Sequence, residues 1–336
     1  MSTSNKICND GASIPNYDDV CEMNDMDMLQ KMSTTDRDIS TCAACGKEGN
    51  GDNMNTCNKC KMVKYCNAAC KKKHRSKHKK ACERRVAELH DKELFKRPPP
   101  KEDCPICFLR MPTHRTGVRY MACCGKVICS GCMHAPVYDH HQGKKVNTEK
   151  CPFCRTPSPE SEEEALERET KRVEIDGDAI AMHNLGNYYR DGRYGYPQDY
   201  TKALELWHRA GEFGHSESYL HIGYAYDRGH GVEVDEKKAN HYYELAAMGG
   251  SVFARHNLGV NEEIAGNIDR ALKHIMIAVS GGASLSLDMI KELYSNGHAT
   301  KDDYTTALQL YQEYLGEIKS KQRDEAAAAD EEYRYY

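Results

Sequence analysis

The sequence lacks any long hydrophobic run, and its mean hydropathy is −0.78. Because a membrane-spanning helix needs about 20 consecutive apolar residues, none is expected. The N-terminus also lacks the apolar core of a secretory signal peptide, so the expected location is intracellular, either cytoplasmic or nuclear. The sequence has no phosphate-binding loop and no nucleophile elbow, which argues against phosphotransfer and hydrolase chemistry.

Cysteine is absent after Cys154 and sparse before Cys42, although the chain has 17 cysteines in all. Fifteen of them fall within residues 42–154, mostly in C-x-x-C pairs. Without a secretion signal, this spacing indicates metal binding rather than disulfide bonds. Cys8 and Cys21 have no partner at a ligand spacing, and both are expected to be free thiols.

The net charge of −4 hides three regions of different character. Residues 1–41 have 3 basic and 8 acidic residues, residues 42–155 have 25 and 10, and residues 156–336 have 19 and 33. The first region lacks periodicity and is expected to be disordered. The remaining non-domain segments are predicted from composition: a basic helix and Pro-rich linker over 83–103, an acidic linker or helix over 156–176, and an acidic, Ala-rich tail over 318–336 that forms a fraying helix.

The first cysteine cluster contains seven cysteines and one histidine, enough for two tetrahedral zinc sites. Two C-x-x-C pairs precede two pairs at i, i+4 spacing, which places both members of a pair on one helix face. Residues 42–82 resemble the MYND zinc finger at all eight ligand positions. The resemblance implies two interleaved sites, one from Cys42, Cys45, Cys66 and Cys70 and one from Cys57, Cys60, His78 and Cys82.

His74 is an alternative to His78, because it stands at a helical ligand spacing after Cys70; the MYND pattern favours His78. MYND fingers are typically protein-interaction modules, and several bind proline-rich peptides. Arg75 stands where their groove usually has a Trp, which argues against that ligand. The basic run 71–80 offers phosphate contacts but lacks interleaved aromatic residues, so nucleic-acid binding is the less favoured interpretation.

The second cysteine cluster, over residues 104–155, resembles a RING finger. The resemblance implies a cross-brace of two zinc sites, one from Cys104, Cys107, Cys129 and Cys132 and the other from Cys123, Cys124, Cys151 and Cys154. Lys126 stands where an ordinary RING has its histidine ligand, and protonated lysine cannot bind zinc. The adjacent Cys123 and Cys124 must therefore both be ligands, unless His134, His140 or His141 replaces one of them.

A RING finger holds a ubiquitin-conjugating enzyme and fixes its ubiquitin thioester in a reactive pose, which is catalysis by positioning. The resemblance assigns the contact with that enzyme to apolar residues in both zinc knuckles and on the central helix, and to a basic residue after the last ligand. The corresponding positions here are Ile106, Val137 or Tyr138, Pro152 and Arg155.

The C-terminal half repeats itself with a period of 36 residues, as from Ala203 to Ala239 and from Gly214 to Gly250. A fixed period of this size predicts a solenoid. Each unit reads as two helices that approach closely at a small residue, such as Gly186. Residues 177–317 resemble the Sel-1-like repeat, a relative of the tetratricopeptide repeat, with two clear copies, one shortened copy and one weak copy. Such stacks typically bind another protein.

These patterns predict a multidomain protein in which a MYND finger and a RING-like finger precede an all-α solenoid of Sel-1-like helical hairpins. Four zinc ions are expected as structural cofactors. The leading hypothesis is a RING-type ubiquitin ligase that recruits a ubiquitin-conjugating enzyme and captures a protein substrate through the repeats and the MYND finger. The alternative is a non-enzymatic protein-interaction adaptor, and no membrane partner is expected.

Overall fold

The computed structural model describes residues 39–50, 53–99, 102–135, 138–139, 144–145 and 150–336. Residues 1–38 of the predicted disordered segment, which include Cys8 and Cys21, therefore lie outside the described residues. The chain divides into two compact units, Met1–Glu88 and Leu89–Tyr336. No described helix is both long enough and apolar enough to cross a membrane.

The described residues of the first unit form two small antiparallel hairpins. Strand β1 (Ile39–Thr41) pairs with β2 (Glu48–Asn50), and β3 (Asn55–Thr56) pairs with β4 (Lys64–Tyr65). Tyr65 is almost fully buried among the cysteines of this unit. The core is therefore built largely from candidate metal ligands, as expected for a module too small to form an ordinary hydrophobic core.

Helix α1 (Ala68–Leu94) follows the second hairpin. The side-chain oxygen of Asn67 accepts a hydrogen bond from the backbone N–H of Cys70 at 2.8 Å, which satisfies one free donor of the first turn. Only three of the helix side chains are buried, namely His78, Cys82 and Leu94. The rest of α1 is polar, so its few buried contacts hold it in place rather than an apolar stripe.

The second unit begins with the end of α1, which is anchored on the helical repeats. Leu94 has no exposed surface and belongs to the cluster that contains Tyr243. The ring of Phe95 lies 4.6 Å from that of His274, and Asp91 forms an ion pair with Arg270 at 2.7 Å. The predicted linker is therefore a docked segment at this point.

The second zinc module lies between this segment and the repeats. A 3₁₀ turn (Arg115–Gly117) leads into β5 (Val118–Met121), which pairs with β6 (Lys126–Cys129). The short helix α2 (Ser130–His134) follows, and then the two-residue strands β7 (Tyr138–Asp139) and β8 (Lys144–Lys145). Met111 and Ile128 pack with the cysteines in its core.

The remaining helices form the predicted solenoid. After α3 (Glu162–Glu174), four helical hairpins pack in sequence, α4 against α5, α6 against α7, α8 against α9 and α10 against α11. The eight helices are α4 (Ala179–Asp191), α5 (Tyr200–Glu212), α6 (Ser216–Arg228), α7 (Glu236–Met248), α8 (Val252–Ile264), α9 (Ile268–Ser280), α10 (Ser284–Ser295) and α11 (Lys301–Ile318). The predicted fold class is confirmed.

Small residues bring the two helices of a hairpin close together, as predicted. A Cβ atom on Gly223 would lie 2.4 Å from the ring of Tyr243, and one on Gly186 would lie 2.5 Å from Trp207. Both large side chains are almost fully buried. Side-chain caps begin several of the helices; the Asp199 side chain, for example, accepts a hydrogen bond from the backbone N–H of Lys202.

The prediction of a fraying tail is wrong. Helix α12 (Lys321–Ala329) packs against α2 of the second zinc module. The Arg323 side chain is fully buried, and it donates hydrogen bonds to the backbone carbonyls of Ile318 at 2.6 Å and Arg110 at 2.9 Å. Tyr335 is 1% exposed. The prediction failed because it was based on the acidic, Ala-rich composition of the segment. A single buried arginine produces no periodic pattern that the sequence could reveal.

Candidate metal centres

Four groups of four side chains bring their ligand atoms to within 4.8 Å of one another. They are the quartets that the two resemblances imply. Site 1 contains Cys42, Cys45, Cys66 and Cys70; site 2 contains Cys57, Cys60, His78 and Cys82; site 3 contains Cys104, Cys107, Cys129 and Cys132; and site 4 contains Cys123, Cys124, Cys151 and Cys154.

The geometry of the four sites fits zinc. Tetrahedral zinc with bonds of about 2.3 Å to sulfur places its sulfur ligands about 3.8 Å apart. The sulfur–sulfur distances across the four sites include values of 3.4 to 3.8 Å. Four thiolate or imidazole ligands close each site to water, so zinc would serve a structural purpose. The expectation of four zinc ions is confirmed in the sense that four clusters of residues fit four ions.

Backbone geometry favours the thiolate of Cys42 in site 1. The backbone N–H of Cys66 is directed at the Cys42 sulfur and lowers the pKa of that thiol to about 6, against the effect of burial. The backbone N–H groups of Ala44 and Cys45 lower it further. Because the thiolate is the form that binds metal, this arrangement favours zinc at neutral pH.

The structure separates the two histidines that the sequence offered for site 2. The Nε2 atom of His78 lies 3.2 Å from the Cys60 sulfur, within the quartet. His74 lies one helical turn earlier, and its Nδ1 atom is 3.3 Å from the Tyr65 hydroxyl. Their rings stack at 5.8 Å. His74 thus packs beside the site without joining it.

A tight turn allows two adjacent cysteines to reach site 4. The backbone N–H groups of Cys124 and Gly125 both donate to the carbonyl of Met121, at 3.1 and 2.8 Å. Gly125 adopts a φ of +68°, which a glycine reaches without strain. Lys126 then begins β6 and lies outside the quartet. The turn, rather than a histidine, supplies the extra ligand.

Of the alternative histidine ligands, His134 is described, and it does not belong to the quartet of site 4. His134 is buried at the end of α2, with its ring 5.8 Å from that of Tyr333. His140 and His141 lie outside the described residues.

Site 3 has a neighbour that the sequence did not reveal. An Nη2 donor of Arg323 lies 3.9 Å from the Cys107 sulfur. Zinc bound by four thiolates has a formal charge of −2, which a buried guanidinium offsets. The nearby thiolates Cys129 and Cys107 raise the pKa of this arginine against the effect of burial.

The predicted contacts for a conjugating enzyme fall in different environments. Ile106 is partly buried against the cysteine core, and Pro152 is also partly buried. Arg155 is exposed, with a φ of +65°, and its backbone N–H closes the last knuckle on the Cys151 carbonyl at 3.0 Å. Val137 lies outside the described residues, and Tyr138 belongs to β7.

Two aromatic side chains beside the knuckles were missed. Phe108 follows the first knuckle and is 77% exposed, and Phe153 lies within the last knuckle and is 42% exposed. Large apolar side chains that protrude beside rigid metal sites are typical of interaction surfaces. The signal was present in the sequence, because each phenylalanine adjoins a ligand cysteine.

Comparison with protein families identifies two of the three parts. Residues 42–82 match the model of the MYND finger. Residues 179–215, 216–251 and 292–313 match the Sel1 repeat. The chain therefore contains a MYND finger and Sel1 repeats, as predicted, and this combination indicates an adaptor for protein–protein interactions.

Individual relatives cover parts of the chain. One stretch of 85 residues is 36% identical to the ERAD-associated E3 ubiquitin-protein ligase component HRD3B of Arabidopsis thaliana. That stretch is 25% of this chain and 13% of the relative, so the chain spans only a small part of that protein.

Two solved structures also align. The Sel1 repeat protein from Oxalobacter formigenes is 23% identical over 60% of this chain and 72% of its own, with a TM-score of 0.40. The protective antigen c5321 of uropathogenic Escherichia coli, which displays an SLR fold, is 27% identical over 48% of this chain and 35% of its own, with a TM-score of 0.39.

Proposed function

We propose that the second zinc module is a RING-type finger that recruits a ubiquitin-conjugating enzyme, and that the Sel1 repeats and the MYND finger capture the protein substrate. The observation that carries the proposal is the interleaved pair of four-cysteine sites with protruding apolar side chains beside its knuckles. Sites 3 and 4 alternate along the chain, so each holds two separated segments together. This frame would keep a docking surface rigid.

The docking surface would combine apolar and basic contacts. Phe108 and Phe153 are exposed beside the two knuckles, and Ile106, in the first knuckle, packs against the core formed by the ligand cysteines. Aromatic residues on a rigid frame are frequent energetic centres of protein interfaces. In this arrangement the zinc ions shape the surface and take no part in bond making.

Arg155 is suited to hold the ubiquitin thioester in place. Its guanidinium makes no hydrogen bond or ion pair with the described residues, so its five donors are free for a partner. The left-handed backbone conformation of Arg155 sets the direction in which its side chain leaves the main chain. The similarity of one stretch to HRD3B, a component of an E3 ubiquitin-protein ligase, supports a place for this chain in ubiquitin transfer.

The test is discharge of ubiquitin from a panel of charged conjugating enzymes by the zinc-loaded chain. We expect discharge by the wild type and at least a tenfold loss in both Ile106→Ala and Arg155→Ala. Ile175→Ala and Arg209→Ala are matched controls, because both side chains are exposed elsewhere in the same unit. Native mass spectrometry checks that each variant keeps its zinc.

Wild-type discharge by Ile106→Ala would refute the docking surface. Absence of discharge from every enzyme, with four zinc ions bound, would favour the second candidate, a non-enzymatic adaptor. That candidate is favoured by one specific observation. Helix α12 covers part of α2, the central helix that a conjugating enzyme would contact, with Gly131 packed against Arg323.

A further inference from the structure

A cleft of about 930 Å³ lies within the second unit, between the second zinc module and the first Sel1 repeat. One wall contains Tyr120 and Met121 of β5, and another is the face of α4 with Asn184, Asn187 and Tyr188. Helix α3 forms part of the lining. The volume falls in the range of sites that enclose a ligand or a short peptide.

Basic side chains outnumber acidic ones in the lining, and the two acidic groups are already engaged. Glu169 is buried, and its carboxylate accepts hydrogen bonds from Asn184 at 2.7 Å and from the Tyr188 hydroxyl at 2.8 Å. Asp191 accepts two from the guanidinium of Arg190, at 2.7 and 2.9 Å. The arginines that line the cleft are Arg115, Arg119, Arg168, Arg190 and Arg193.

Two of these arginines remain available to a ligand. Arg115 is exposed and has no ion pair or hydrogen bond from its side chain to any described residue. Arg193 is also exposed and has only a 3.7 Å contact with Asp191. Cys123 and Cys151 of site 4 border the cleft, and with zinc bound this site would have a formal charge of −2, so an anionic ligand would be held by the arginines rather than by the cysteine wall.

The positive charge of the arginines in the cleft also acts on a buried histidine of the first repeat. Burial lowers the pKa of His183 well below its usual value, and the positive charges of Arg115 and Arg190 contribute to the same shift. The histidine therefore stays neutral beside the cleft. The positive charge at this end of the repeat comes from the arginines.

The rim of the cleft has an exposed aromatic residue in an unusual conformation. Tyr194 is 47% exposed and has a φ of +55°, a left-handed backbone that a bulky residue rarely adopts. Its ring contacts that of Tyr188 edge to face at 4.7 Å. Asn187, also in the lining, is buried, and its Oδ1 atom has no hydrogen-bond partner among the residues that the structure describes. Such strained and unsatisfied groups concentrate at binding sites.

We propose that this cleft binds an acidic, extended segment of a partner protein. Arg115 and Arg193 pair with its carboxylates, Tyr194 packs on its side chains, and Asn187 bonds its backbone. The proposal rests on the partner-capture part of the proposed function and is independent of ubiquitin transfer. A binding assay without conjugating enzyme therefore separates a failure here from a failure of the ligase mechanism.

The test is fluorescence anisotropy of the full, zinc-loaded chain with a labelled decapeptide of alternating Glu and Ala. A Gln–Ala decapeptide is the neutral reference, and a single-stranded 20-nucleotide DNA is the nucleic-acid probe. The double variant Arg115→Glu/Arg193→Glu should weaken peptide binding about tenfold or more, because two ion pairs become repulsive. Tyr194→Ala should weaken it about fivefold at constant charge.

The matched control is Lys72→Glu/Arg75→Glu, which reverses two charges on the basic helix of the first unit. It should change the affinity by less than about threefold. An equal or larger loss in this control would place binding on that helix and overturn the proposal. Equal binding of the neutral peptide would also overturn it. So would tighter binding of the DNA with the same dependence on Arg115 and Arg193.

Discussion

Removal of the Arg323 guanidinium should loosen the second zinc module. The variant Arg323→Met keeps the buried apolar stem and deletes the donors. Two hydrogen bonds to the carbonyls of Arg110 and Ile318 are lost, and two weaker contacts to Leu109 and Cys107 go with them. Hydrogen bonds from a charged donor are worth about 1.5–3 kcal/mol each, so the two strong ones amount to about 3–6 kcal/mol.

Hydrogen exchange of the β5–β6 hairpin measures this loss locally, which avoids assuming two-state unfolding of the whole chain. A loss of about 3–6 kcal/mol corresponds to amide exchange faster by about two to four orders of magnitude. Transfer of zinc to a colorimetric chelator should also accelerate, because removal of an outer partner of a metal ligand costs about 10–100-fold in affinity.

The control is Lys321→Met, two residues away on α12, where the side chain is 90% exposed and forms only a 3.6 Å surface ion pair. It should change neither readout appreciably, because exposed pairs contribute about 0–1 kcal/mol. Exchange of the β5–β6 amides within twofold of wild type in Arg323→Met would refute the view that the tail supports this module.

Four further outcomes are expected. Gly223→Ala places a Cβ atom 2.4 Å from the ring of Tyr243 and should destabilise the repeats by about 1–3 kcal/mol. Gly316→Ala adds a Cβ atom in open space and should stabilise α11 by about 0.5–1 kcal/mol. Urea unfolding, followed by tryptophan fluorescence, compares the two variants. Arg255→Met should raise the free energy of unfolding by about 1–4 kcal/mol, because Arg255 is 1% exposed and its guanidinium has no hydrogen-bond partner among the described residues; a loss of stability would contradict this. Burial lowers the pKa of His221 from 6.5 to about 3. The free energy of unfolding should therefore fall as the pH drops from 6.5 to about 3, because the unfolded chain takes up a proton that the folded chain excludes. The variant His221→Gln should flatten this pH dependence of unfolding. Chelation should release four zinc ions in native mass spectrometry and expose residues 42–82 and 104–155 to exchange before the repeats; two ions or fewer would contradict the four-site geometry.

Local patterns predicted the parts of the molecule whose physics is local. A C-x-x-C pair fixes two ligands within one knuckle, and the 36-residue period fixes the helical hairpins, so both could be predicted from the sequence. Gly186 and Gly223 were also identifiable, because a hairpin needs a small residue where a large one crosses.

Contacts between distant segments could not be predicted in this way. Arg323 in an acidic, Ala-rich stretch resembles any exposed helix residue, and Leu94 at the end of a polar helix resembles a surface leucine. Their burial depends on surfaces formed by residues far away in sequence. Propensity and periodicity carry no information about such pairings.

The contact between Arg323 and Arg110 joins residues 213 positions apart. At about 5–20 residues per second, synthesis of the intervening chain takes roughly 10–40 s. Between the synthesis of Cys154 and that of Arg323, the second module has its cysteines but lacks the side chain that satisfies the Arg110 carbonyl. Its final assembly therefore waits until all of the repeats have been translated, so a nascent chain stalled within them would present an incomplete zinc module to the cell's quality-control machinery.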